Sequence, residues 1–495
     1  MTIRALREPD LHAKHAGFVY QVQAVNATKD LPFAAIFHEQ GLGKTKIGID
    51  LTLYWLSKGF VDSVLIVTKR GLIQNWSDEL DLHSHVMPRL LSQDRKANFR
   101  AFNSPARIYL THYEVLKSEQ KRLELFLKTR RVAVILDEAH KIKNPDSTIA
   151  HALFAIGRGF TKKIIMTGTP VANRPYDLWA QIFFLDQGSS LGRDFEEFRK
   201  ELDLSNDLGF EPDKARRFET ALSKVFAKIQ AFSVRETKNG ANIQLPEKRI
   251  ENVSVQLEIR QFEIYQQFQR DFAAIVVRNG KAQLDDADEV LKRLLRLVQV
   301  ASNPSLVDDS YQGVPGKFPV LLDIVQAVVD RDEKVIIWTA FTENVDWLAR
   351  ELRTFGAVRV HGKISYEDRN RSIKRFKNEP ECSVLVATPA SAKEGLTLTV
   401  ANNAVFFDRS FSLDDYLQAQ DRIHRISQRK ECLITNIVAK DTVDEWVDVL
   451  LAAKQLAAQL AQGDITREEY QAKATYAFGE MVRDILGRGG QQNAK

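Results

Sequence analysis

Apolar positions along the chain gather in short unbroken runs. FAAIF (33–37), VLIVT (64–68), IYLT (108–111), VAVILD (132–137) and KIIMT (163–167) are each bounded by Gly, Pro or polar residues and followed by a helical pattern. Apolar, β-branched runs without alternation predict strands buried on both faces, as in a parallel sheet with helical crossovers. A first α/β lobe is therefore expected over residues 1–185. From 186 to 316 the chain turns charged and helix-favouring (FEEFRKEL, KARRFETALSKVFAKI, EVLKRLLRLVQVA), which predicts helical protrusions and an inter-lobe connection. Asn-Gly and Pro within 237–257 suit a connection followed by a strand.

Strand-like runs return as KVIIWTA (334–340), AVRVHG (357–362), SVLVAT (383–388), NAVFFD (403–408) and LITNIVA (433–439), a second α/β lobe over 317–440. A C-terminal helical segment is expected over 441–495, with Val443, Trp446, Val447, Val449, Leu450 and Leu451 as its apolar positions and a frayed Gly-rich end, GRGGQQ.

Composition narrows the class. The chain has 495 residues, 44% hydrophobic and 27% charged, which excludes a mainly disordered or collagen-like protein. At roughly 150 residues per domain it allows about three units. No stretch approaches the ~20 apolar residues of a membrane span, and MTIRALREPDLHAKH has the features of neither a secretory nor a transit signal. A cytoplasmic protein is expected, nucleoid-associated in a prokaryote or phage-infected cell, with no membrane partner. Cys382 and Cys432 read as reduced core thiols rather than a disulfide or zinc framework. A net charge of +5 neither demands nor forbids a polyanionic partner. Two basic clusters, Lys292, Arg293 and Arg296, then Arg369, Arg371, Lys374, Arg375 and Lys377, read first as solvated helix faces.

The strongest local signal is EQGLGKT (39–45), between the run FAAIF and the helical pattern KIGIDLTLYWL. A Gly-rich turn from a buried strand into a helix points backbone N–H groups at one spot, where they and the helix dipole cradle phosphate oxygens. Gly41, Leu42, Gly43, Lys44 and Thr45 form this cradle. Lys44 would reach the β- and γ-phosphates of ATP and the Thr45 hydroxyl would ligate Mg²⁺. The strict pattern wants Gly where His38 stands, so the match is to the shorter GxGKT form. VAVILDEAH (132–140) then ends a buried strand in two adjacent carboxylates. Asp137 is suited to hold Mg²⁺, and Glu138 to orient and deprotonate an attacking water.

These segments, together with TGTPVAN (167–173) and QAQDRIHRISQ (418–428), resemble the Swi/Snf-type ATPases of helicase superfamily 2. The resemblance runs in order through Tyr20-Gln21, LIQNWSDEL (72–80), THYEVL (111–116), LRLVQVASNPSLV (295–307), KVIIWTAF (334–341) and EGLTLTVANNAVFFD (394–408), over about residues 18–450. It implies two tandem RecA-like parallel-sheet domains with helical insertions and a C-terminal helical tail. It also implies a DNA-dependent ATPase that uses ATP and Mg²⁺ and moves on double-stranded DNA.

Carried over residue by residue, the resemblance makes Gln21 the adenine reader and Arg422 and Arg425 arginine fingers, which a helical spacing of three would place near one another. His140, Thr167, Gly168 and Thr169 would relay the nucleotide state toward DNA. Thr68, Lys69, Thr111, Ser391 and Lys393 would meet the DNA phosphates, contacts that position without reading sequence. His38 and Gln40 stand where many relatives carry Asp and Met, Lys393-Glu394 replaces small residues, and Ser427 replaces a common Gly. The motor core accounts for nearly all of the chain, so targeting is expected from a protein partner or from DNA structure. Two rival activities stay open: a strand-separating helicase, and an ATP-gated DNA clamp in which hydrolysis is incidental.

Overall fold

The computed structural model describes residues 9–171, 174–202, 212–238, 240–241, 245–276, 287–392, 398–425 and 427–473. The chain divides into two compact units. The first comprises Met1–Asp203, Thr220–Ile243 and Leu460–Asp464, and the second Leu204–Glu219, Gln244–Gln459 and Ile465–Lys495.

The first unit holds seven strands: β1 (Phe33–Ile36), β2 (Ser63–Thr68), β3 (Arg89–Leu90), β4 (Ile108–His112), β5 (Val132–Asp137), β6 (Lys162–Met166) and β7 (Ser233–Val234). They lie in the order β3-β4-β2-β5-β6-β1-β7, and every pairing is parallel. The unbroken apolar runs have a direct cause here: every residue of β2, β4 and β5 is buried. Alternate residues serve opposite faces. Ala34, Ile36, Val64, Ile66, Ile108, Leu110, Ala133 and Ile135 join Trp55 and Trp76 in one core.

The second unit holds β8 (Lys248–Val255), β9 (Val335–Trp338), β10 (Val358–Val360), β11 (Val384–Ala387), β12 (Asn403–Phe406) and β13 (Cys432–Ala439). Their order is β10-β11-β9-β12-β13-β8, again all parallel. Ile336, Trp338, Ala404, Phe406 and Ile434 enter one core, while Val335, Ile337, Val405, Phe407 and Ile437 enter another, as a period of two requires. A third cluster joins the helices Ile259–Val276 and Ala287–Ser302 to Val443, Val447 and Leu451. Cys382 and Cys432 are buried free thiols.

Residues 186–316 supply an edge strand to each sheet: β8, which lies in the 237–257 stretch expected to carry a strand, and β7, which was not expected. A two-residue strand leaves no periodicity to read. β8 is largely exposed and carries Lys248, Arg249, Glu251 and Asn252, the polar composition of a protected edge. The GRGGQQ end lies outside the described residues. Among the described residues no helix is long and apolar enough to cross a membrane.

Candidate nucleotide site

The turn between β1 and the helix Lys44–Ser57 is built on two glycines with positive φ, Gly41 at 86° and Gly43 at 69°. Side chains other than Gly are strained in this region, and Gly43 is the residue that opens the helix. Gln21 closes the turn from behind. Its Oε1 accepts from the Phe18 N–H at 2.9 Å and its Nε2 donates to the Leu42 carbonyl at 3.1 Å. A Cβ on Gly43 would stand 2.4 Å from Gln21 Nε2, so the glycine serves close packing as well as backbone freedom. Lys44 Nζ donates to the carbonyls of His38 (2.9 Å) and Glu39 (3.2 Å). Burial and the Lys44 charge push the His38 imidazole down to about 4.

Asp137 ends β5 and is 7% exposed. Its Oδ2 accepts from Trp76 Nε1 at 2.7 Å and Thr68 Oγ1 at 3.0 Å, and its carbonyl accepts from the Tyr113 hydroxyl at 2.8 Å. Burial and the neighbouring Glu138 push its carboxyl up to about 6, against the hydrogen bonds from Trp76 and Thr68 and the charge of Lys44. Asp137 is buried and Glu138 part-buried; carboxylate oxygens such as these, and the hydroxyl of Thr45, are hard donors of the type that Mg²⁺ takes. Glu138 sits at φ 53°, a left-handed conformation that costs a non-Gly residue energy and clusters at functional sites.

His140 lies on the short 3₁₀ turn Ala139–Ile142. Its Nε2 is 2.7 Å from Lys69 Nζ, and its Nδ1 is 3.2 Å from both Thr167 Oγ1 and Glu138 Oε2. Thr167 in turn accepts from the Thr169 N–H. A Cβ on Gly168 would meet Gln40 Cγ at 2.4 Å and Lys44 Nζ at 3.2 Å. The turn 167–169 thus rests directly on the phosphate loop. Ala172 and Asn173 of TGTPVAN lie outside the described residues.

Thr68 and Thr111, expected at a DNA face, are fully buried. Their hydroxyls are taken by Asp137 and by the Leu91 carbonyl, because a threonine at the end of a fully buried strand must satisfy its hydroxyl inside. In the second unit the Ser391 hydroxyl is held by the carbonyls of Val360 and Thr388, and Arg369 donates to the Ser391 carbonyl at 3.1 Å. Lys393 lies outside the described residues. Arg422 and Arg425 are not on a helix: the helix Leu413–Gln420 stops before them. Each is tethered through Nε to a carbonyl four residues back, Gln418 at 3.1 Å and Asp421 at 2.8 Å.

Sequence reasoning placed Trp76 in a motif without a role and did not single out Tyr113 as a ligand of the Asp137 backbone. The available signal was an indole and a phenol in helices that had to bury them, since each needs an acceptor when buried.

Known proteins match along this same chain. A model described as the SNF2-related domain covers residues 29–306, and one described as the helicase conserved C-terminal domain covers 316–427. An uncharacterised ATP-dependent helicase of Mycoplasma genitalium is 28% identical over 88% of this chain and 41% of its own length. The ISWI chromatin-remodeling complex ATPase ISW1 of Saccharomyces cerevisiae is 24% identical over 94% of this chain and 42% of its own. The chain therefore spans about two fifths of these relatives. A solved structure, the Sulfolobus solfataricus SWI2/SNF2 ATPase core in complex with dsDNA, aligns over 97% of this chain and 99% of that one, with 25% identity and a TM-score of 0.42.

Proposed function

The chain belongs to the SNF2-related family, and on that premise we propose that it is an ATP-dependent translocase on double-stranded DNA that remodels protein–DNA complexes or DNA structure without fully separating strands. The observation that carries the reading is the pairing of a phosphate loop, Gly41 to Thr45, with a buried Asp137 and a strained Glu138 at the end of β5.

In this reading the loop N–H groups and Lys44 bind the phosphates of ATP, and Thr45 and Asp137 are the Mg²⁺ ligands. When bound, Mg²⁺ neutralises charge on the phosphate oxygens. Trp76 and Thr68 hold Oδ2 of Asp137, which leaves Oδ1 for the metal. Glu138 accepts a proton from the attacking water as ATP becomes ADP and phosphate. Arg422 and Arg425 are assigned the charge that spreads over the γ-phosphoryl oxygens in the transition state. Gln21, whose side chain is held by the Phe18 N–H and the Leu42 and Gly43 carbonyls, is assigned to adenine. His140, Thr167, Gly168 and Thr169 couple the site to DNA. Lys69 is assigned to phosphate contact, with Lys393 as a further contact.

Two experiments test the reading. ATP turnover should rise strongly with duplex DNA and vanish in Lys44→Ala and Glu138→Gln; retained turnover in either variant would remove the site assignment. Triplex displacement run beside forked-duplex unwinding separates translocation from strand separation. Unwinding without triplex displacement would favour the helicase activity, and DNA binding gated by ATP without either activity would favour the clamp.

A further inference from the structure

One imidazole, that of His140, lies between a part-exposed lysine and the carboxylate assigned to the attacking water. Lys69 follows directly on β2 and its ammonium can only donate. Its partner at 2.7 Å is His140 Nε2, so this nitrogen is the acceptor and the imidazole proton sits on Nδ1. That Nδ1–H is hydrogen-bonded to Thr167 Oγ1 at 3.2 Å, and Glu138 Oε2 lies at the same distance without a hydrogen bond to it. His140 is 6% exposed, so the polarisation that the lysine induces in the ring is little screened by water. The positive end of the imidazole thereby lies 3.2 Å from the Glu138 carboxylate, which the left-handed backbone at φ 53° already holds in a strained position.

We propose that Lys69 is a positioning residue that restrains Glu138 through His140, and that a phosphate of duplex DNA which captures Lys69 releases Glu138 to activate water. The ligand side of this inference rests on the DNA reading above; the restraint itself does not. A phosphate that draws the Lys69 ammonium toward the backbone of the duplex lengthens its contact with His140 Nε2, now 2.7 Å. A backbone phosphate is the stronger acceptor because the hydrogen bond is then charge-assisted on both sides. Loss of the lysine leaves His140 Nε2 without this donor, the ring is free to move its proton from Nδ1 to Nε2, and the attraction on Glu138 weakens. Thr167 shares the same Nδ1, and its turn rests on Gln40 and Lys44, so the phosphate loop senses the same event. DNA stimulation of ATP turnover then comes from removing a restraint on kcat and not from tighter ATP binding.

The test is steady-state ATP turnover of the full chain with and without a duplex oligonucleotide. Lys69→Met keeps the aliphatic stem and removes the donor. It is expected to raise the DNA-free kcat about fivefold, the scale of one hydrogen bond, with KM for ATP unmoved and the fold-stimulation by DNA reduced to match. Lys69→Arg, which can still donate to His140, should bring the DNA-free rate at least halfway back. His140→Gln should raise the DNA-free rate by itself, and Lys69→Met added to it should raise it no further, the non-additivity expected of one linked unit. An unchanged or lower DNA-free kcat in Lys69→Met, with only the half-saturating DNA concentration raised, overturns the proposal and leaves Lys69 as an ordinary phosphate contact. A wild-type chain that duplex DNA does not stimulate rejects the DNA reading; a faster Lys69→Met would still support the restraint.

Discussion

Gly168→Ala probes whether the turn 167–169 and the phosphate loop act as one body. An added Cβ would stand 2.4 Å from Gln40 Cγ, 3.1 Å from the Gln40 backbone nitrogen and 3.2 Å from Lys44 Nζ. The first contact is relieved by turning a side chain. The other two are not, because Gln40 N belongs to the loop itself and Lys44 is anchored on the His38 and Glu39 carbonyls. The loop must therefore shift by some tenths of an ångström. Overpacking of this kind costs about 1–3 kcal/mol. The loop is the part that yields, so most of this cost should appear as weaker nucleotide binding, on the order of tenfold per 1.4 kcal/mol. Titration of a fluorescent ATP analogue is the assay, with thermal melting as the check on folding. Gly362→Ala is the control, since a Cβ there meets nothing within 4 Å. Affinity within twofold of wild type, at an unchanged melting temperature, would refute the packing argument.

Other outcomes follow from the same contacts. Thr68→Val removes one of two hydrogen bonds to Asp137 Oδ2 at nearly constant volume. A bond to a charged acceptor is worth about 1.5–3 kcal/mol, so Mg²⁺ titration of ATP turnover should shift to higher metal concentration; an unmoved Mg²⁺ midpoint would show that Trp76 suffices. Arg425→Ala should bind ATP almost normally while kcat falls at least about a hundredfold, the mark of a transition-state contact; equal losses in binding would reassign it. His38 is held down to about 4 in the fold against the ordinary 6.5 of a free imidazole, so the unfolded chain takes up its proton first as pH falls. Stability is full above pH 6.5 and declines toward pH 4, by roughly 3 kcal/mol at most. In His38→Phe the melting temperature should lose part of its slope between pH 7 and pH 4, and an identical slope would place the acid sensitivity elsewhere.

Much of the architecture was legible because burial on both faces leaves short apolar, β-branched runs bounded by turn residues, which a half-exposed strand does not produce. The ten runs read as strands are all present. β3 and β7 escaped notice at two residues each, and β8 was visible only as the strand expected within 237–257, since an exposed edge is polar. The phosphate loop and the Asp137-Glu138 pair were legible for another reason: their chemistry depends on neighbours in sequence, a turn and a strand end whose backbone carries the function.

Contacts between distant segments were not. The resemblance placed Thr68 at the DNA phosphates; the placement of β5 beside β2 turned its hydroxyl onto Asp137. Arg422 and Arg425 looked helical because their spacing is three, yet the helix stops at Gln420 and each guanidinium is tethered by a carbonyl instead. The resemblance assigned Lys69 to DNA and His140 to coupling, and tertiary structure joined them through one imidazole. Local order, then, came from the sequence pattern, because hydrophobic period and glycine conformation are properties of neighbouring residues. Which buried polar atom meets which was decided by packing, because a hydrogen bond across 70 residues of chain exists only once the sheet has brought its strands into register.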